Sequence, residues 1–92
     1  MMKAERRVKM IFGRAVRNAR VRAKLSQEEL ADAAGLDRTY IGGIERGERN
    51  PSLISLQKIA LDLRTTLSEL FAEVPPNNIR GRRLKRPAMA LM

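Results

Sequence analysis

The side chains of this sequence that can do chemistry are arginines, lysines, carboxylates and hydroxyls, because its 92 residues include no cysteine and no histidine. That composition excludes disulfides, zinc fingers and the common nucleophile–histidine pairs. Two of these side chains, Arg38 and Thr39, directly follow Asp37, which is a good helix N-cap. Arginine can donate two hydrogen bonds to O6 and N7 of guanine, and threonine offers a hydroxyl and a methyl group. Both side chains can therefore bind a polar ligand such as nucleic acid, with a solvated or phosphate-paired arginine as the alternative for Arg38.

The net charge of +9 is unevenly distributed along the chain. Residues 1–24 carry nine Lys or Arg and one acidic residue. Residues 25–73 carry five Lys or Arg and nine acidic residues, and residues 74–92 carry five Lys or Arg and no acidic residue. The middle of the chain is therefore acidic, and both ends are basic. A strongly basic chain indicates a polyanionic partner, nucleic acid before membrane. Here that attraction has to come from the two ends and from individually placed residues.

Apolar periodicity and capping residues predict five helices and no strand. Val8, Phe12, Val16 and Ala19 recur at helical spacing and predict a first helix over residues 5–24. The later helices each begin at a capping residue: Ser26 of the capping box Ser26-Gln27-Glu28-Glu29, Asp37, Ser52, and Thr66 of the capping box Thr66-Leu67-Ser68-Glu69. The fourth helix is expected to bury Leu53, Leu56, Ile59, Ala60 and Leu63. Prolines at 75 and 76 end the last helix, so we expect one all-α domain over residues 1–75 and a basic, disordered tail over 76–92.

Two of these helices have the features of a helix-turn-helix. Gly35 lies between them and permits the left-handed backbone of a tight turn. Ala31 is small where the second helix would cross, and Ile41 and Ile44 are spaced to be buried. The opposite face of that second helix is then free to enter a DNA groove. The sequence therefore predicts a helix-turn-helix over about residues 26–46.

Residues 20–71 resemble the Cro/lambda-repressor-like (XRE-type) family of helix-turn-helix DNA-binding proteins. The matching residues are Arg20, Ser26-Gln27-Glu28-Glu29-Leu30-Ala31, Gly35, Ile41, Glu45-Arg46-Gly47, Pro51-Ser52-Leu53, Leu56, Ile59-Ala60, Leu63, Leu67 and Leu70-Phe71. Within that family, the strings Leu36-Asp37-Arg38-Thr39-Tyr40-Ile41, Gly43-Ile44-Glu45-Arg46 and Arg49-Asn50 resemble the restriction–modification controller proteins, which are small dimeric regulators. The resemblance implies a five-helix lambda-repressor-like domain.

The resemblance also implies roles for individual residues. Arg38, Thr39 and Gly43 occupy positions that face bases in the major groove. Positions that contact the DNA backbone hold Gln27, Tyr40, Arg46, Arg49 and Asn50, and Arg17 on the first helix is a further candidate for a phosphate contact. Arg20 and Glu45 are expected to form a partly buried ion pair that ties the first helix to the third. The alternatives are that Gln27 only fills the capping box, that Tyr40 packs on a neighbouring helix, and that the loop residues are solvated.

Gly42 and Gly43 are unusual inside a helix, where each glycine costs about 0.5–1 kcal/mol relative to alanine. Many relatives place a base-reading side chain at the position of Gly43. Two explanations compete, a close approach of the helix to DNA and a close packing of helices. Under the first, more of the specificity depends on Arg38, Thr39 and the deformability of the DNA.

Apolar residues remain once the core stripes are assigned, which favours a homodimer. Ile54 and Leu61 lie seven residues apart on the fourth helix, and Leu67 and Phe71 are expected to be partly exposed on the fifth. Family members pair two units so that both recognition helices enter successive major grooves, about 34 Å apart. We therefore expect a two-fold dimer through the C-terminal helices.

The sequence thus predicts a transcription regulator that binds double-stranded DNA, at an inverted-repeat operator in its own promoter region. We expect no enzyme activity, metal or cofactor, since neither a nucleophile–base set nor a phosphate loop is recognisable. No apolar run approaches the roughly 18 residues of a membrane span, and no signal peptide is recognisable. A cytoplasmic protein without membrane contact is therefore expected.

Two other functions compete with this prediction. An antitoxin would use the basic tail, residues 76–92, to bind a toxin while its helix-turn-helix represses the operon. A basic module that binds RNA or a membrane surface would fit the charge. It would need stacking aromatics or a large amphipathic face, and the chain has two Phe and one Tyr.

Overall fold

The computed structural model describes residues 3–75, which form five helices and the turns between them. They are α1 (Lys3–Arg22), α2 (Gln27–Ala34), α3 (Arg38–Glu45), α4 (Leu53–Asp62) and α5 (Leu67–Leu70). Residues 3–75 contain no strand, and the predicted all-α, five-helix class is confirmed. None of these helices has the length and apolarity needed to cross a membrane. The predicted tail, residues 76–92, lies outside the described residues.

α1 begins and ends two residues before its predicted range of 5–24. Its end is set by Lys24, whose backbone is left-handed with φ 58°. The N–H of Leu25 then donates to the carbonyl of Arg20 at 3.1 Å. Bonds of this kind satisfy carbonyls that a helix end leaves without intrahelical partners.

Side-chain caps begin the later helices where the sequence predicts them. The capping box at Ser26 is complete, since the Ser26 hydroxyl accepts from the Glu29 N–H at 2.9 Å and Glu29 accepts from the Ser26 N–H at 2.8 Å. Asp37 and Ser52 cap α3 and α4. At α5 the Thr66 hydroxyl accepts from the Glu69 N–H at 3.0 Å, but the Glu69 carboxylate accepts from the Thr65 hydroxyl. The second predicted capping box is therefore only half formed.

The core is mostly aliphatic and draws on all five helices. Its buried residues are Phe12, Val16, Ala19, Leu30, Ala31, Ile41, Ile44, Ile59, Ala60, Leu63 and Leu70. Burial of both Ile41 and Ile44 fixes which face of α3 points inward. The opposite face of α3 is therefore the one available to a ligand.

Leu53 does not belong to this core, and the prediction that it is buried was wrong. Its side chain is 70% exposed, whereas Ser55, Ile59 and Leu63 are buried on α4. At 3.6 residues per turn, Leu53 lies about 160° around the helix axis from Ser55. The burial of Ser55 thus rotates Leu53 to the outer face of the helix.

α1 and α3 approach each other most closely at Gly13. A Cβ atom at this position would overlap the carbonyl oxygen of Ile44 and lie 2.8 Å from that of Glu45. Only glycine lets the backbone of α1 come this near the C-terminal end of α3. Gly13 therefore helps to set the position of α3 in the fold.

Candidate nucleic-acid interface

α2 and α3 form a helix-turn-helix whose turn is held by backbone hydrogen bonds. Gly35 is left-handed with φ 68°, and the N–H of Leu36 donates to the carbonyl of Ala31 at 2.8 Å. Leu30 and Ala31 of α2 are buried together with Ile41 and Ile44 of α3. The turn and this packing hold α3 against α2 with its remaining face outward.

Arg38 and Thr39 stand at the exposed start of α3. The Asp37 carboxylate accepts from the Thr39 N–H at 3.0 Å and caps the helix. Both side chains are exposed, and Arg38 forms no ion pair within residues 3–75. The guanidinium and the hydroxyl are therefore available to hydrogen-bond base edges, as a recognition helix in a major groove requires.

A hydrogen-bonded ion pair joins α1 to the C-terminal end of α3. Nε of Arg20 donates to Oε2 of Glu45 at 2.6 Å, and Nη2 donates to Oε1 at 3.0 Å. The Glu45 side chain is 3% exposed and that of Arg20 is 12% exposed. The hydrogen bond to Glu45 raises the pKa of Arg20 above its ordinary value, despite partial burial, which acts to lower it. The positive charge of Arg20 is therefore retained.

Gln27 joins this ion pair through its side chain. Its amide Nε2 donates to Oε1 of Glu45 at 2.9 Å, so the first turn of α2 is bonded to the end of α3. The predicted phosphate contact of Gln27 can instead use the main chain, because the first N–H groups of a helix have no intrahelical partner and favour anions. Sequence reasoning missed the bond to Glu45, which joins residues 18 positions apart.

The loop after α3 carries the remaining predicted backbone contacts. Arg46 pairs with Glu48 at 3.1 Å, and both side chains are more than half exposed. Asn50 is also exposed. Tyr40 is half-buried, and its hydroxyl accepts from the Ser52 N–H at 3.2 Å. Tyr40 therefore packs within the domain and joins α3 to the start of α4.

Gly42 and Gly43 are covered by side chains of the predicted contact residues. A Cβ on Gly43 would lie 2.6 Å from Cγ of Arg49, and one on Gly42 would lie 3.1 Å from Nη1 of Arg46. Neither competing explanation for the glycines, close approach to DNA or close helix packing, anticipated this arrangement. What lies on Gly43 in the structure is the stem of a loop arginine.

Arg17 lies on the exposed surface of α1, three residues before the buried-side Arg20. Residues at this spacing are neighbours on one side of a helix. Arg17 thus lies on the same side of α1 as Arg20, the residue that pairs with Glu45 of α3. This position is compatible with a phosphate contact at the edge of the helix-turn-helix.

An exposed apolar surface runs along α4. Leu53, Ile54 and Leu61 are 70%, 58% and 73% exposed, and we call these three residues the α4 apolar face. Of the predicted dimer residues on α5, Leu67 is half-buried, while Phe71 is 38% exposed and stacks on Phe12 with ring centroids 4.6 Å apart. The predicted dimer residues therefore divide into an open set on α4 and a partly packed set around α5.

Known proteins resemble the chain over this same region. A helix-turn-helix family model matches residues 16–70. Control protein C.MunI from a Mycoplasma species is 46% identical over 68 residues, which are 73% of this chain and 92% of that protein. Control protein C.SmaI from Serratia marcescens is 42% identical over 74 residues, 80% of this chain and 88% of that protein.

A solved structure agrees with these matches. The crystal structure of the restriction-modification controller protein C.AhdI from Aeromonas hydrophila superposes with a TM-score of 0.67 at 48% sequence identity. The match covers 68% of this chain and 96% of that one. Almost the whole of that protein is thus represented in the described helices.

Proposed function

The chain belongs to the helix-turn-helix family and is a controller-like DNA-binding transcription regulator rather than an enzyme, and from this premise we propose that it binds an inverted-repeat operator as a homodimer. The operator is expected in the promoter region of its own gene. The DNA-reading element is α3, and each subunit of the dimer supplies one copy. The expected location is the cytoplasm.

The exposure of Arg38 and Thr39 at the start of α3 carries the proposal. Their side chains point away from a helix whose other face is buried through Ile41 and Ile44. An arginine at this place can bind a guanine with two hydrogen bonds, and a threonine can meet a thymine methyl. The expected contacts to the DNA backbone come from Gln27, Tyr40, Arg46, Arg49, Asn50 and Arg17.

The homodimer is supported by the α4 apolar face. Three large aliphatic side chains exposed on one helix form a surface that water solvates poorly, and a two-fold axis would bury the same surface of both subunits at once. A single helix-turn-helix reads only a few base pairs, so pairing two of them also supplies the affinity that one lacks. Leu67 and Phe71 would lie at the margin of such an interface.

Footprinting on the DNA upstream of the gene tests the proposed function. We expect protection of two half-sites with two-fold symmetry, their centres about one helical turn apart. A scrambled sequence of the same length is the control for non-specific binding. Upstream DNA that is protected no better than the scrambled control at moderate salt would contradict the proposal.

The competing antitoxin hypothesis assigns partner binding to residues 76–92, which lie outside the described residues. It predicts a toxin gene beside this one and a complex that is lost when residues 76–92 are deleted. The controller hypothesis predicts a restriction endonuclease gene as the neighbour. Identifying the adjacent gene and its product therefore separates the two hypotheses.

A further inference from the structure

Arg49 lies across the outer surface of α3 at Gly43. A Cβ built on Gly43 would be 2.6 Å from Cγ, 3.2 Å from Nε and 3.4 Å from Cδ of Arg49. The stem of the arginine therefore occupies the space that any other residue at position 43 would fill. Gly43 lies one turn after Thr39, so both belong to the same side of the helix.

The guanidinium of Arg49 is held by a second contact. Its central carbon lies 5.7 Å from the centroid of the Tyr40 ring, within the range of a cation–π interaction. The ring is itself fixed, because Tyr40 is half-buried and its hydroxyl accepts from the Ser52 N–H. Within residues 3–75 Arg49 forms no ion pair, whereas Arg46 is paired with Glu48. The charge of Arg49 is thus positioned but not neutralised by these residues.

We propose that Gly43 is a positioning residue for DNA binding. Because Gly43 has no side chain, it leaves a space that the stem of Arg49 occupies, and we call this space the seat of Arg49. The seat holds Arg49 in place to bind a DNA phosphate. This inference rests on the proposed function and deepens it. Gly43 then acts through Arg49 instead of touching a base. An arginine already held near its bound position loses less conformational freedom on binding than one free in solvent, so the seat raises affinity.

The neighbouring Gly42 provides a matched comparison. A Cβ on Gly42 would meet Nη1 of Arg46 at 3.1 Å and Oε1 of Gln27 at 3.5 Å. These atoms are the ends of side chains and can shift slightly. At Gly43 the atom that a Cβ would overlap is Cγ of Arg49, which is close to the backbone of that residue. A methyl group at position 43 must therefore displace the whole Arg49 side chain. Both changes add the same methyl to the same helix, but only Gly43→Ala removes the seat.

A double-mutant cycle on operator DNA tests the inference. In the natural chain we expect Gly43→Ala to lower affinity about tenfold for each subunit, the scale of one charge-assisted hydrogen bond. In the Arg49→Ala background the same change should have almost no effect, because the displaced side chain is absent. The slope of log affinity against log salt should fall by about one for each subunit in Gly43→Ala and equally in Arg49→Ala. Gly42→Ala should leave affinity and slope nearly unchanged.

Three results would overturn the inference. Gly43→Ala could lower affinity by the same factor with and without Arg49, which would mean that the new methyl meets the DNA itself. In the second result, Gly43→Ala leaves both the affinity and the salt slope unchanged. In the third, Arg49→Ala leaves the salt slope unchanged, although this exposed substitution should not affect folding. A natural chain that forms no sequence-specific complex would instead overturn the proposed function. Thermal melts of each variant identify any loss caused by unfolding.

Discussion

At the scale of single residues, Arg38 is the side chain expected to contribute most to sequence discrimination. Arg38→Ala should reduce affinity for the operator by about tenfold or more while affecting random-sequence DNA much less, because a bidentate arginine–guanine contact is worth about 1–3 kcal/mol. Competition binding with the two DNAs measures both losses. Arg14→Ala, which removes an equal exposed charge from α1, is the control and should affect both DNAs alike. Equal losses for Arg38→Ala would remove Arg38 from direct readout.

Glu45 is expected to stabilise the fold, since it accepts hydrogen bonds from both Arg20 and Gln27. Glu45→Ala leaves the Arg20 guanidinium with only the Leu25 carbonyl, at 2.8 Å, as a described partner. A stranded, largely buried charge should lower the free energy of unfolding by about 3 kcal/mol. Urea denaturation measures this loss. Glu48→Ala, which breaks the exposed pair with Arg46, should cost less than about 1 kcal/mol. Similar costs for the two variants would contradict the prediction.

Candidate residues of the site could be chosen from the sequence, whereas their contacts with one another could not. The family resemblance implied that Arg38 and Thr39 read bases, and the structure leaves both exposed. The hydrogen bond of Gln27 to Glu45 and the packing of the Arg49 stem over Gly43 were missed. They depend on where α2 and the loop after α3 fall in space, which no local pattern in the chain encodes.

At the scale of helices, the crossing of α1 and α3 at Gly13 should be intolerant of any side chain. In an exposed helix Gly→Ala is stabilising by up to about 1 kcal/mol. Here the added methyl would overlap the Ile44 carbonyl and force the two helices apart, which should cost about 1–3 kcal/mol. Chemical denaturation of Gly13→Ala and Gly42→Ala compares the two positions. If Gly13→Ala were as stable as Gly42→Ala, α1 would not limit the position of α3.

Helix starts were predictable because caps depend on side chains only a few residues apart. Ser26, Asp37 and Ser52 all cap the helices that follow them. The orientation of α4 was less predictable, because its apolar residues occur on more than one side. Ser55 takes a buried position and Leu53 an exposed one, a choice made by packing against the other helices. The same rotation leaves Leu53 beside Ile54 and Leu61.

At the scale of the whole molecule, the basic net charge does not by itself explain DNA binding. The net charge of +9 arises at the two ends of the sequence, while residues 25–73, which include the helix-turn-helix, carry more acids than bases. Attraction to DNA therefore has to use the two basic ends together with the exposed arginines that flank α3. The salt dependence of binding should count the phosphates that these residues neutralise, not the total charge.

The symmetry of the assembly can be tested by placing a charge on the α4 apolar face. Leu61→Glu should convert the dimer to a monomer, because the two-fold axis places a buried carboxylate on both subunits without a partner. Sedimentation equilibrium measures the mass, and gel shifts should show operator affinity lost with it while the helix content is unchanged. Val21→Glu is the matched control, since Val21 is 53% exposed on α1 and is not one of the residues of the proposed interface. A Leu61→Glu chain that remains dimeric would place the interface elsewhere, whereas a natural chain that is monomeric even on its operator would contradict the homodimer itself.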